Sequence, residues 1–188
     1  LNGTLAVSLT LSGGTIALGS ADRIGDSSIV TVSSGRLDMG SFSDTVGTFS
    51  LSGGSLDGTG TLTAGSYTLT GGTVSANLGA GVATSSSGST ALNGTLAGSL
   101  SVGGGGTTGS ISDTGTLTIS SGVLDTTASN YSDTVGTLSM SGGSLNGGGT
   151  ITAGTYALTG GTVNASLGAG TLTANSGAAS LIGTSGAT

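Results

Sequence analysis

The chain has 188 residues, 41 of them Gly, a net charge of −6 and no Cys, Pro, Trp or His. Its charged side chains are eight Asp with Arg23 and Arg36, too few cations to grip nucleic acid through its phosphates or to draw the chain to an anionic lipid surface. Without His or Cys the common nucleophile and base pairings and zinc ligand sets are missing, and no apolar run approaches the length that spans a bilayer.

From the N-terminus onward, a Gly in a short run of small residues recurs at Gly14, Gly35, Gly54, Gly72, Gly88, Gly105, Gly122, Gly143, Gly161 and Gly177. The steps are near-constant, longest from Gly14 to Gly35 and from Gly122 to Gly143, shortest from Gly72 to Gly88 and from Gly161 to Gly177. The unit is therefore a coil of about 18 residues, a repeat too short to bury a core without its neighbours. Five residues before the mark stand Leu9, Val30, Phe49, Tyr67, Leu100, Leu117, Leu138, Tyr156 and Leu172, with Ala83 the small member. Three before it stand Leu11, Val32, Leu51, Leu69, Val102, Ile119, Met140 and Leu158, weakening to Ser85 and Ala174. Two after it stand Ile16, Leu37, Leu56, Val74, Leu124, Leu145 and Val163, with exceptions at Thr90, Thr107 and Ala179.

Between the first two columns lies Thr10, Thr31, Ser50, Thr68, Thr118 or Ser139. Such alternation turns one set of side chains inward and the other outward on a strand. The marked Gly then supplies a bend between two short strands. A two-residue apolar period does not fit a helix, and Gly, Ser and Thr are poor helix formers. The expected fold is all-β, a parallel β-solenoid of about ten stacked coils. At an inter-strand spacing of about 4.8 Å it would be a rod on the order of 48 Å long.

A longer period overlies the short one. Leu1-Asn2-Gly3-Thr4 returns at Leu92-Asn93-Gly94-Thr95 and, altered, at Leu181-Ile182-Gly183-Thr184. Ser43 to Thr48 returns intact as Ser132 to Thr137, and Gly71 to Gly81 returns as Gly160 to Gly170. Five coils therefore make a module: residues 1–91 form the first, 92–180 the second and 181–188 the start of a third, in one continuous solenoid. The chain reads as a length cut from, or processed out of, a longer array. The absence of Cys is compatible with secretion.

Few residues invite a chemical reading. The run from Gly103 to Gly106 lacks the Lys and following helix of a phosphate loop. Asp38 and Asp57 each stand three residues after a marked Gly, so they are expected to stack on adjacent coils at roughly 5 Å, a spacing used by paired glycosidase carboxylates. Their second-module equivalents are Asp125 and Asn146, and no Arg, Lys or aromatic residue shares those columns. Gly53 to Gly60 resembles a calcium-binding nonapeptide only loosely, with a single Asp, so no metal is expected to support the fold. Ala21 to Asp26 is the most charged segment, read as a connection in which Arg23 pairs with a neighbouring Asp. Tyr67 and Tyr156 are expected to fill the core, and Phe42 and Tyr131 to mark a corner.

Ala21-Asp22-Arg23-Ile24-Gly25-Asp26, the stretch Val30 to Gly40 and Phe42-Ser43-Asp44-Thr45-Val46-Gly47-Thr48 together resemble the autotransporter-associated β-strand repeat of exported bacterial passenger and haemagglutinin-like proteins. The second copy, Leu117 to Thr137, matches less completely. The resemblance implies a right-handed parallel β-helix at the cell surface, serving as a stalk, adhesin or fibre, and it brings no catalytic, cofactor or metal residues.

Two functional readings follow. One is a structural module of an extracellular or cell-surface bacterial fibre or adhesin stalk. It would extend by stacking on more of its own kind, bundle laterally through a surface with little charge, and meet a host or matrix ligand. The other is a carbohydrate-binding or carbohydrate-degrading β-helix working through Asp38 and Asp57. The first needs no catalytic residue and no cofactor.

Overall fold

The computed structural model describes residues 1–85, 87–102, 106–111, 115–125, 132–174, 177 and 179–183. Gly103 to Gly105, Asp113, Tyr131 and the chain beyond Gly183 lie outside them, as do the side chains of Val102 and Thr107. Every described element is a strand, and every pairing between strands is parallel. The chain winds as a parallel β-solenoid with three short strand stretches in each coil.

The first face carries the paired column Leu9, Val30, Phe49, Tyr67, Ala83, Leu100, Leu117, Leu138, Tyr156 and Leu172, each residue in register with the next. Every member stands five residues before a marked Gly, so each step along the column equals the interval between two marks. The sequence marks and the coil register are one pattern. Thr10, Thr31, Ser50, Thr68, Thr84, Ser101, Thr118 and Ser139 stack beside this column as an outward row.

The second face runs through Ile16, Leu37, Leu56, Val74 and Leu92, and again through Leu124, Leu145, Val163 and Leu181. Thr90 keeps the register of its fixed offset toward the following coil, where it pairs with Thr107 and Thr107 with Leu124. Toward the preceding coil Leu92 pairs with Val74 and Thr90 with Gly72, because the bend in that coil is longer by two residues. Thr90 is nevertheless buried, and among the described residues its hydroxyl and that of Ser85 have no hydrogen-bond partner. The fifth coil thus buries two polar side chains, Ser85 and Thr90.

A third face, absent from the two-strand coil predicted by the repeat, closes the section. It includes Leu5 against Ile24, then Asp44, Leu62, Leu78, Leu96 and Ile111, and later Asp133, Ile151 and Leu167. Its strands can be as short as Asn77–Leu78 and Ser166–Leu167. Coil lengths differ chiefly between the second and third faces, which scrambles the third face's offset from the preceding Gly. Counted back from the following Gly, Asp44, Leu62, Leu78, Asp133, Ile151 and Leu167 all stand ten residues away.

Inward side chains from the three faces merge into one core running from Leu11 to Leu167. Tyr67 and Tyr156 are fully buried in it. The Tyr67 hydroxyl accepts from the Ala64 N–H at 2.8 Å and turns its proton toward the Leu62 and Gly79 carbonyls at 3.0 and 3.2 Å. Tyr156 repeats this with Ala153, Ile151 and Gly168 at 2.8, 3.0 and 3.1 Å. Each phenol therefore ties the first face to the third, satisfying backbone groups that burial would otherwise leave unpaired. Burial pushes the Tyr67 hydroxyl above its usual range, against the pull of its backbone partners Ala64 and Gly79.

Marked glycines bend the chain with left-handed φ, 71° at Gly14 and 72° at Gly54. At Gly54 an added Cβ would lie 2.3 Å from the Gly35 carbonyl of the neighbouring coil, whereas at Gly14 it would meet nothing within 4 Å. Gly14→Ala is expected to cost the left-handed penalty alone, about 1–2 kcal/mol. Gly54→Ala should cost clearly more, because backbone must shift, and paired urea denaturation curves check the difference. Equal midpoints for the two variants would show that coil-to-coil approach does not select Gly.

Candidate functional site

On the second face Asp38 and Asp57 are register partners, as their spacing predicts. Arg36 is two residues before Asp38 and so shares its outward side of the strand. Its Nη1 lies 3.0 Å from Asp38 Oδ2, and its Nε donates to Asp57 Oδ2 at 2.6 Å. The columns of these carboxylates hold no cation of their own, as their sequence shows, and Arg36 reaches both from a neighbouring column. Ser55 Oγ also donates to Asp57 Oδ2 at 2.8 Å, and Asp38 Oδ1 accepts from the Gly40 N–H at 2.9 Å.

Two stacked like charges repel, and the guanidinium between them relieves that repulsion. Partial burial pushes the Asp57 carboxyl up, but hydrogen bonds from Arg36 and Ser55 with the attraction of the guanidinium outweigh it and hold the group below the usual carboxylate range. Arg36 is raised in turn, first through its hydrogen bond to Asp57. In the second module Asp125 again faces Asn146, while Val123 pairs with Ser144 where Arg36 pairs with Ser55. Asn146 Oδ1 accepts from Asn164 Nδ2 at 2.6 Å, extending a polar row along this face.

The charged turn is arranged differently from its sequence reading. Arg23 Nε donates to Ser20 Oγ instead of pairing with an Asp, and Asp22 adopts a left-handed φ of 53°. The ion pairs among the described residues belong to Arg36. What orders this turn is Asp44, 2% exposed, whose Oδ2 accepts from the N–H groups of Arg23 at 2.8 Å and Ile24 at 3.0 Å. Its Oδ1 accepts from the Thr45 N–H at 2.9 Å. Asp133 Oδ1 makes the matching bond to the Thr134 N–H at 3.0 Å.

Asp44 was not singled out by sequence reasoning. The available signal was that Ser43 to Thr48 returns intact while Asp57 changes to Asn146. Phe42 packs half-buried against the core and its N–H donates to the Met39 carbonyl at 3.0 Å, which makes it the corner residue expected. Within Gly53 to Gly60 the single carboxylate, Asp57, is the one engaged by Arg36. Among the described residues no cluster of three or more acidic side chains could hold a metal ion. No helix among them is long and apolar enough to cross a membrane.

Comparison with family models, curated proteins and solved structures finds no match to this chain.

Asp57 contributes stability that is present above the ordinary carboxylate value of about 3.9 and is lost as pH falls through its lower folded value. Arg36→Ala is expected to return Asp57 toward the ordinary range, so that NMR titration of its carboxyl carbon shifts its midpoint upward; an unchanged midpoint would remove the clamp. Asp44→Ala should cost about 3 kcal/mol by stranding buried N–H groups. Asp26→Ala, at an exposed site, should stay within about 0.5 kcal/mol on the same denaturation curves.

Proposed function

We propose that this chain is a structural module of an extracellular or cell-surface bacterial fibre or adhesin stalk, lengthened by stacking coil on coil, and that it is not an enzyme. The observation that carries this reading is the unbroken parallel register from Leu9 to Leu172, in which each interior coil is paired on both sides. Nothing in a coil's geometry limits the number of coils. The Tyr67 geometry recurs one module on at Tyr156, so one coil pattern is used twice. The resemblance of residues 21–48 to the autotransporter-associated repeat supports the surface setting and a host or matrix ligand.

The carbohydrate-degrading alternative fares less well. A general acid has to hold its proton near working pH, and Asp57 is instead held ionised by Arg36 and Ser55. The partner in this reading is more of the same chain, joined covalently or stacked against a coil edge.

Inserting a second copy of residues 92–180 after position 180 tests it. Five further coils should lengthen the rod by on the order of 24 Å in electron micrographs at about 4.8 Å per coil. The far-ultraviolet spectrum should keep its shape and the thermal midpoint should not fall. Two globules on a flexible tether would overturn the reading, as would release of soluble sugar from a polysaccharide lost on Asp38→Asn.

A further inference from the structure

The three faces differ sharply in charge. Among the described residues every charged side chain lies on the second or third face or at the bends beside them. Arg36, Asp38, Asp57 and Asp125 are on the second face; Asp22, Arg23 and Asp26 stand in the bends on either side of Ile24, and Asp44 and Asp133 share the third-face column of Leu62 and Ile151, Asp44 being buried. The described part of the first face carries none. One outward row there is the hydroxyl ladder from Thr10 to Ser139, and the other runs from Ile29 through Thr48, Ser66, Val82 and Thr116 to Thr171. Ile29 and Val82 are about half exposed in that second row, at 53% and 50%.

We infer that the first face is where a second copy of this chain lies alongside, face to face. The inference rests on the fibre reading in that both need parallel-sided rods. Outward charge sets the second face aside, and strands as short as Asn77–Leu78 and Ser166–Leu167 leave the third face too narrow. Two chains of net charge −6 repel through their Asp-bearing sides, and contact through the uncharged side keeps those carboxylates outward.

Size sets the strength. Ten rungs about 4.8 Å apart, each offering some four residues of strand, present on the order of 600 Å² per partner, at the lower limit of specific interfaces. Short Ser and Thr side chains let two sheets approach closely, and the methyls of Thr, Ile29 and Val82 supply apolar area there. A single pair of such faces associates reversibly, and joining more coils in one chain adds area in proportion. Lateral contact therefore strengthens with rod length.

Sedimentation velocity over a hundredfold concentration range, with electron microscopy of the same samples, tests this. The unaltered chain should show a rising weight-average sedimentation coefficient and side-by-side pairs. Thr48→Asp with Thr68→Asp, both exposed on the first face, should weaken association at least roughly tenfold through like-charge repulsion. Thr15→Asp with Thr45→Asp, exposed on the other two faces, should leave it nearly unchanged. Mixing the first-face Asp chain with one carrying Thr48→Lys and Thr68→Lys should restore pairing, which separates repulsion from misfolding.

A monomer at every concentration, or equal weakening by both Asp pairs, overturns the inference. Sedimentation of a monomeric chain with insoluble chitin or cellulose would assign the face to a polysaccharide and also overturn it. Long single filaments without pairing would refute the lateral contact and leave the fibre reading standing; paired rods that never lengthen would do the reverse.

Discussion

The parallel backbone ladder between successive coils is the constraint on which everything else depends. Each strand's N–H and C=O groups find partners in the coils above and below, at a spacing of about 4.8 Å. That spacing places each side chain against the residue occupying the same position one coil away. A column must therefore be compatible with itself: apolar on apolar inside, hydroxyl on hydroxyl outside. The low charge of the chain follows from the same condition. Like charges stacked without a counterion are penalised, and the stacked pair Asp38 and Asp57 occurs where Arg36 reaches both.

Coil length is free where the ladder is not at stake. The first-face step is long from Leu9 to Val30 and short from Tyr67 to Ala83, yet both pairs stay in register. Extra residues leave the sheet in bends, chiefly between the second and third faces. Asp44 shows what a longer bend requires. The turn at Arg23 and Ile24 has backbone donors that a carboxylate from the next coil accepts.

Much of this architecture was legible in the sequence because periodicity is a cumulative signal. The intervals between marked glycines reproduce the first-face register, and inward Tyr67 and outward Thr68 follow from a strand period of two. The third face was not legible from the preceding Gly, since variable bends intervene, although the following Gly kept a constant distance from Leu62, Leu78 and Leu167. Leu92 was missed for the same reason, a bend longer by two residues that moved the column member off its offset. At the candidate site, the stacking of Asp38 on Asp57 was readable, but the Arg36 clamp was not. A fixed-column reading treats each offset separately, whereas a long guanidinium side chain spans two columns. The role of Asp44 depended on a contact across coils with a segment unlike itself, which repetition cannot reveal.

A solenoid distributes function differently from a globular enzyme. A catalytic site needs unlike groups converging on one point, each held by its own surroundings. A column of like residues repeats one group along a line, so its natural products are extended surfaces. The chain departs from strict repetition at the Arg36 clamp, the Asp44 turn and the polar core of the fifth coil at Ser85 and Thr90. The first two serve the ladder itself, one by neutralising stacked charge and the other by occupying stranded donors. The third buries two hydroxyls that no described group pairs, in a coil whose bend is longer by two residues, and an unpaired buried hydroxyl costs stability.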